Sequence, residues 1–140
     1  MDLTNAISFA RSHRQGILLT LRSDGRPQSS NIAFGVGDDG IVRISVTDDR
    51  AKTQNLRRDP RASLHVNRAD FYAYVVLEGD AVLSPVAARP DDATVEELIE
   101  LYRALQGEHP DWNSYREAMV ADRRLVVRLR PSRAYGMLPN

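Results

Sequence analysis

The segment that decides the fold is ISVTDDRAKTQNLRRDPRASLHV, residues 44–66. In its first residues apolar side chains alternate with others, which is typical of a strand, and RASLHVN, residues 61–67, again has the pattern of a strand. Between them, a helix of about two turns must stop by Asp59, because the residue before Pro60 is disfavoured in helical conformation. Three adjacent residues are candidate N-caps of this helix: Thr47, Asp48 and Asp49. The segment therefore predicts strand, short basic helix, strand.

Upstream, the spacing of Leu3, Ile7 and Ala10 predicts an amphipathic helix that is capped by Asp2 or Thr4 and ends near Gly16. Two strands, residues 16–22 and 27–36, follow it. The dipeptide Asp24-Gly25 between them supplies the positive φ that a hairpin turn requires. A second turn at residues 37–40 leads into a strand over residues 41–47.

Downstream, strands are predicted over residues 61–67 and 72–84, and Gly79 inside the second suggests a bulge. A long helix then ends at Gly107, with Thr94 and Glu97 spaced as a capping box. The carboxylates of this helix are expected on its solvated side: Glu96, Glu97 and Glu100. A further helix and a last strand, which Pro131 ends or bends, complete the pattern.

This order of elements predicts a fold that is mainly β with added helices. Its sheet is expected to be mostly antiparallel and to form a small barrel, with two of the helices inserted late in the chain. No composition shift or linker divides the chain, so residues 1–140 are expected to form one domain. A dinucleotide-binding α/β unit is excluded, because no strand leads into a glycine-rich turn and crossover helix.

Composition excludes several functions. The chain has no cysteine, so thiolate metal sites and a cysteine nucleophile are impossible, and the three histidines are scattered without ligand spacing, so no metal site is expected. No secretory signal and no apolar run of about 20 residues is present, which predicts a soluble, cytoplasmic protein with no membrane partner. The 19 basic and 19 acidic residues cancel, which argues against nucleic acid as a partner.

A local basic cluster nevertheless stands out, with five cationic side chains in residues 50–61. Arg50 and Lys52 fall in the first helical turn, where positive charge opposes the helix dipole unless an anion uses both the charges and the free amides. The alternative is that Asp48 and Asp49 neutralise them, and the pattern alone leaves both interpretations open. Lys52 is the only lysine beside 18 arginines, which favours a specific role for its compact ammonium group.

At this point the sequence resembles the flavin and deazaflavin oxidoreductases related to pyridoxamine 5′-phosphate oxidase, and most closely their branch that binds coenzyme F420. The matching stretches cover nearly the whole chain in order: LLTLRSDGRPQSSNIAF, the segment of residues 44–66, YAYVVLEGDAVLS, and residues 95–136. The run RAKTQNLRRDPR is the most specific of them. The resemblance implies the FMN-binding type of split β-barrel and a homodimer with cofactor sites at the subunit interface.

By position, the resemblance implies three groups of cofactor-binding residues. Arg50, Lys52 and Asn55 match residues near the cofactor phosphate, with Ser45 at the end of the preceding strand. A second group matches the strand along the deazaflavin ring: Gln28, Ser30 and Asn31. Tyr72 matches an aromatic position supplied by the partner subunit.

The resemblance further implies hydride transfer between the deazaflavin and a conjugated small organic substrate, without an acid/base motif in the protein; no catalytic residue is assigned. FMN is the alternative cofactor on the same fold, and a non-catalytic F420 carrier is the alternative function. Three further arginines of the run have no assigned role: Arg57, Arg58 and Arg61. They could guide the acidic glutamate tail of the cofactor, or they could simply form a solvated face of the helix. The solvated face is favoured for at least one of them.

Overall fold

A computed structural model describes residues 1–139, in which seven strands and four helices are present. The strands are β1 (Gln15–Leu21), β2 (Pro27–Ala33), β3 (Gly35–Val36), β4 (Val42–Thr47), β5 (Arg61–Asn67), β6 (Tyr74–Leu83) and β7 (Arg124–Met137). The helices are α1 (Leu3–Arg11), α2 (Ala51–Arg58), α3 (Ala93–Gln106) and α4 (Trp112–Ala121). None of the four helices is long and apolar enough to cross a membrane.

The strands form one curled sheet in the order β2-β1-β5-β6-β7-β4-β3, and every adjacent pair is antiparallel. The two edge strands, β2 and β3, follow each other in the chain and meet at the buried Phe34, so the chain itself connects the two ends of the sheet. The prediction of a mainly β fold of the split β-barrel type, with helices added late, is confirmed.

The two faces of the sheet bury separate apolar clusters. The inner face holds Leu18, Leu64 and Leu125, against which α1 places Ala6 and Ala10. The outer face is covered only in part, where α3 and α4 pack over β7. The members of this outer cluster are Ala87, Val95, Leu98, Ile99, Met119 and Val126. Polar side chains on the uncovered part of the outer face are therefore available for a site.

The helix boundaries correct several expectations. Asp2 is the N-cap of helix α1, as predicted, and its side chain accepts from the amide of Asn5, but the helix ends at Arg11 instead of near Gly16. Helix α2 has Arg50 as its N-cap residue, so the expected cap from Thr47, Asp48 or Asp49 is wrong. Helix α3 is capped by Asp92, whose side chain accepts from the amide of Val95, so the predicted capping box is also wrong.

The structure corrects one predicted strand and confirms a predicted irregularity in another. The predicted strand 27–36 is interrupted at Phe34 and becomes β2 and β3. The predicted bulge at Gly79 is confirmed, because the register between β6 and β7 shifts between Glu78 and Gly79. Pro131 lies directly opposite Gly79, and β7 continues through it.

Glu97 does not lie on a solvated surface, as its sequence position suggested. Its side chain is 18% exposed and forms ion pairs with two arginines of the sheet. Its carboxylate accepts from Arg43 Nε at 3.0 Å and from Arg128 Nε at 2.8 Å. Hydrogen bonds from Arg128, and then from Arg43, hold the pKa of Glu97 below its ordinary value against the opposing effect of burial. Glu97 therefore ties α3 to β4 and β7.

We expect Glu97→Gln to lower the free energy of unfolding at pH 7 by about 1.5 to 3 kcal/mol, the range for hydrogen bonds to charged groups. Because the folded pKa lies below the unfolded one, this stabilisation is complete above the ordinary value of 4.5 and is lost as the pH falls through the folded pKa. Denaturant titrations of both proteins between pH 7 and pH 3 test this. Glu100→Gln, at an exposed position of the same helix, is the control; an equal loss there would contradict the assignment.

Candidate functional site

The site is built around the beginning of α2. Arg50, the N-cap residue, has an extended backbone and provides no side-chain hydrogen bond to the helix. In the first turn, the amide of Thr53 donates to the carbonyl of Arg50 at 3.1 Å, whereas the amides of Ala51 and Lys52 have no acceptor within residues 1–139. Arg50 is exposed, whereas Lys52 is partly buried. The helix therefore presents two free amides together with two cationic side chains.

The two nearby carboxylates do not neutralise these cations. Asp48 pairs with Arg57 at 2.5 Å and with Arg123 at 3.0 Å, and Asp49 accepts from the hydroxyl of Thr47. These bonds, from Arg123 first and then from Arg57, lower the pKa of Asp48. Within residues 1–139, neither carboxylate forms an ion pair with Arg50 or Lys52, so the structure disfavours the neutralisation hypothesis.

A cavity of about 390 Å³ opens beside Lys52 on the outer face of the sheet. It brings together three of the residues predicted for the site, Asn31 from β2, Ser45 from β4 and Lys52 from α2. Helices α3 and α4 form its remaining wall with apolar and aromatic side chains: Leu98, Leu101, Tyr102, Leu105, Tyr115 and Met119. One end of the cavity is thus cationic and the other apolar.

Arg124, the first residue of β7, also lines this cavity, although no sequence pattern distinguishes it from the other 17 arginines. Its Nη1 lies 3.4 Å from Ser45 Oγ, a long contact for a hydrogen bond. Its Nε is buried and has no hydrogen-bond partner among the residues that the structure describes. A buried donor without a partner is costly, so Arg124 has bonding capacity that the protein itself does not use.

The electrostatics of the cavity are uniformly positive. Burial lowers the pKa of Lys52, and the charges of Arg50 and Arg124 lower it further. No aspartate or glutamate is among the residues that line the cavity. Since positive charges held together out of water are unfavourable without a counter-charge, an anion in this cavity would relieve their repulsion.

The apolar wall is held rigidly in place. Tyr115 donates its hydroxyl hydrogen to the carbonyl of Leu98, which links α4 to α3, and burial raises the pKa of Tyr115 to about 12. Its ring packs edge-on against Tyr102 at 5.1 Å between centroids, and Trp112 contacts both rings. The wall can therefore offer a fixed apolar surface to a planar ligand.

Asn55, Gln28 and Ser30 lie beside the cavity and do not line it. Asn55 is only 6% exposed, and its Nδ2 donates to Gln28 Oε1 at 2.7 Å and to Thr20 Oγ1 at 3.1 Å. These bonds fix α2 against β1 and β2, which positions Lys52. Gln28 and Ser30 share one face of β2, whereas Asn31 lies on the other.

Tyr72 lies apart from these residues, in the loop between β5 and β6, and its side chain is 79% exposed. The adjacent Phe71 is 77% exposed and has a positive φ of 68°. Phe71 lines a second cavity of about 560 Å³, which also contains His65 and shares residues 31–33 with the first. Within this chain the structure does not bring Tyr72 to Lys52.

The remaining arginines of the basic cluster have partners inside the chain. Arg57 pairs with Asp48, and Arg61 pairs with Asp59 at 2.7 Å. Arg58 donates to the carbonyl of Leu21 and to Asn55 Oδ1. The cationic cluster of the sequence thus separates into a part engaged in structural contacts and a part, Arg50 and Lys52, that adjoins the cavity.

A curled antiparallel half-barrel of this topology defines the split β-barrel class, the fold of FMN-binding proteins. The chain belongs to the pyridoxamine 5′-phosphate oxidase family, whose sequence profile matches residues 5–138.

Solved structures with the same fold include a conserved hypothetical protein of Mycobacterium tuberculosis, which is 25% identical with a TM-score of 0.76 over 100% of this chain and 90% of the other. An F420 reductase is 24% identical with a TM-score of 0.64 and covers 87% and 89% of the two chains. A pyridoxamine 5′-phosphate oxidase-related, FMN-binding protein of Nostoc punctiforme is 17% identical with a TM-score of 0.64, over 96% and 81%.

Proposed function

We propose that this protein is an F420-dependent oxidoreductase that transfers a hydride between the deazaflavin and a conjugated small organic substrate. The observation that carries the proposal is the cationic cavity at the beginning of α2, where Lys52 pairs with no carboxylate of the described residues. The preference for F420 is supported by the sequence resemblance in the run RAKTQNLRRDPR, and an F420 reductase is among the proteins that share the fold.

The residues of the cavity fit the phosphate of such a cofactor. Lys52 supplies a point charge and Ser45 a hydroxyl group that can donate. Arg50 does not line the cavity, but its charge lies close enough to lower the pKa of Lys52. Charge-assisted hydrogen bonds of this kind are about twice as strong as neutral ones.

A bound deazaflavin would supply the hydride-transfer chemistry itself. The protein would then hold and orient the ring and exclude water from it. Asn31 lies at the junction of the two cavities and can hydrogen-bond the edge of a ring that extends from the phosphate. The rigid wall of α3 and α4 would cover the other side of the ligand.

The same proposal includes a homodimer with its two sites at the interface. Four exposed apolar side chains lie at the end of the sheet where β6 begins and β7 ends: Phe71, Tyr72, Tyr135 and Met137. Tyr135 and Met137 share a face of β7, and Met137 pairs with Tyr74 at the beginning of β6. A second copy that covered this patch would remove it from water and could bring its Tyr72 toward the cofactor site.

The experiment that tests the proposal is a titration of the purified protein with F420 and, separately, with FMN, followed by quenching of the fluorescence of each cofactor. Tight binding of F420 with weak binding of FMN supports the proposal and leads to a screen of conjugated acceptors with reduced F420. A preference for FMN would favour FMN as the cofactor, because the same cationic side chains can bind its phosphate. Tight F420 binding without turnover of any acceptor would favour a carrier.

We expect Tyr72→Ser to lower substrate turnover by about tenfold or more while it changes cofactor affinity by less than about threefold, because an aromatic side chain that borders the substrate contributes mainly to orientation. Steady-state rates with several acceptors and a cofactor titration measure both effects. Tyr72→Phe, which keeps the ring, is the matched control. If Tyr72→Ser turned over every acceptor at the wild-type rate, the assignment of Tyr72 to the site would be wrong.

A further inference from the structure

We infer that Arg124 binds the anionic group of the ligand directly, as a third cation beside Lys52 and Arg50. The inference rests on the proposed function, and it assigns to the site a residue outside the basic run of α2. It also defines the ligand by its charge: a phosphate group with two negative charges, or a phosphodiester with a carboxylate close to it.

The backbone before β7 determines which of two consecutive arginines enters the cavity. Arg123 has a positive φ of 52°, and its guanidinium group points away to pair with Asp48 at 3.0 Å. Arg124 follows in extended conformation, lies opposite Thr47 on β4, and reaches the outer face of the sheet beside Ser45. Of these two adjacent arginines, Arg123 therefore forms an ion pair within the chain, and Arg124 lines the cavity.

The bonding state of Arg124 indicates a missing acceptor. A guanidinium group has five N–H donors, and within residues 1–139 Nη1 alone has a partner, Ser45 Oγ at 3.4 Å. Its buried Nε has none. Because a guanidinium group presents its donors as a planar fork, Nε and one terminal nitrogen can bind two oxygens of a phosphate group at once.

The charge of the site also exceeds what one negative charge would balance. Lys52 and Arg124 line the cavity, Arg50 lies close enough to lower the pKa of Lys52, and no carboxylate lines the cavity. A phosphomonoester carries about −1.5 to −2 charges at pH 7. A phosphodiester carries one, so it would match this site only with a second anionic group nearby.

A comparison of ligands with and without phosphate isolates this contact. The probes are F420 and its phosphate-free deazaflavin, and FMN and riboflavin, each titrated against the wild-type protein and Arg124→Gln. For whichever of the two cofactors the wild-type protein binds, F420 or FMN, we expect Arg124→Gln to lower the affinity by about tenfold or more. The affinity for the corresponding compound without phosphate should stay unchanged. Arg123→Gln, the matched control, should alter neither affinity.

The outcomes are distinct. Equal loss for both members of a pair in Arg124→Gln, or no loss for either, would overturn the inference. If neither pair binds the wild-type protein, the cofactor proposal fails, and inorganic phosphate becomes the probe. Thermal stabilisation by phosphate that disappears in Arg124→Gln and persists in Arg123→Gln would still support the anion site, whereas no stabilisation of the wild-type protein would overturn it.

Discussion

Lys52→Ala is expected to weaken cofactor binding by about one to two powers of ten, while the thermal unfolding curve of the free protein should stay close to that of the wild type. The expected loss corresponds to about 1.5 to 3 kcal/mol for a charge-assisted hydrogen bond. The fold is spared because Lys52 forms no ion pair within residues 1–139, and burial and the charges of Arg50 and Arg124 disfavour its partly buried charge. Fluorescence titration with F420 or FMN measures the affinity.

Two variants separate this specific contact from general charge. Arg61→Ala removes an exposed cation that pairs with Asp59 just beyond α2, and it should leave affinity nearly unchanged. Lys52→Met keeps most of the apolar stem of the side chain and should lose as much affinity as Lys52→Ala. If Arg61→Ala were as damaging, or if Lys52→Ala bound normally, the phosphate role of Lys52 would be wrong.

Gly79→Ala is expected to prevent stable folding, or to lower the free energy of unfolding by at least about 3 kcal/mol. A methyl group at Gly79 would lie 2.1 Å from the carbonyl oxygen of Arg130 and 3.2 Å from Cα of Pro131. Both contacts are with backbone, which cannot move aside without opening the bulge between β6 and β7. This cost is a large fraction of the 5 to 15 kcal/mol that stabilises a typical domain.

Circular dichroism with urea titration measures this loss, and Gly25→Ala is the control. Gly25 has a positive φ of 86°, but nothing lies within 4 Å of a methyl group there. The control should therefore lose only about 1 to 2 kcal/mol, the cost of left-handed backbone for an alanine. Because Gly79 does not have a positive φ, a loss in Gly79→Ala no larger than that in Gly25→Ala would show that β6 and β7 move apart to accommodate the methyl group, and it would contradict the predicted effect of the close approach.

The sequence predicted the elements of the fold better than their ends. Alternating and helical patterns identified the sheet, its four helices and the bulge at Gly79, since these patterns directly reflect which face is buried. The caps were less predictable, because several acceptors compete near each helix. Thr94 is occupied by a bond to the carbonyl of Pro85, which leaves the cap of α3 to Asp92.

Part of the candidate site was also predictable. The basic run identified Lys52 and Arg50, because cations at the beginning of a helix are unfavourable without an anion. Arg124 was not predictable, since its importance depends on a turn at Arg123 and on the distant Ser45 of β4. Glu97 was missed for a similar reason, because helical periodicity does not show that two arginines of the sheet lie beneath it.

The order of the strands also has a consequence for the synthesis of the chain on the ribosome. Strand β7 lies between β6 and β4, and it is the last strand of the sheet to be made. Until residues 124–137 emerge, the hairpin of β3 and β4 has no other neighbour in the sheet, and its open edge is a target for unwanted pairing. Arg124 is the first residue of that strand, so the nascent chain completes its barrel and its anion site in the same late step.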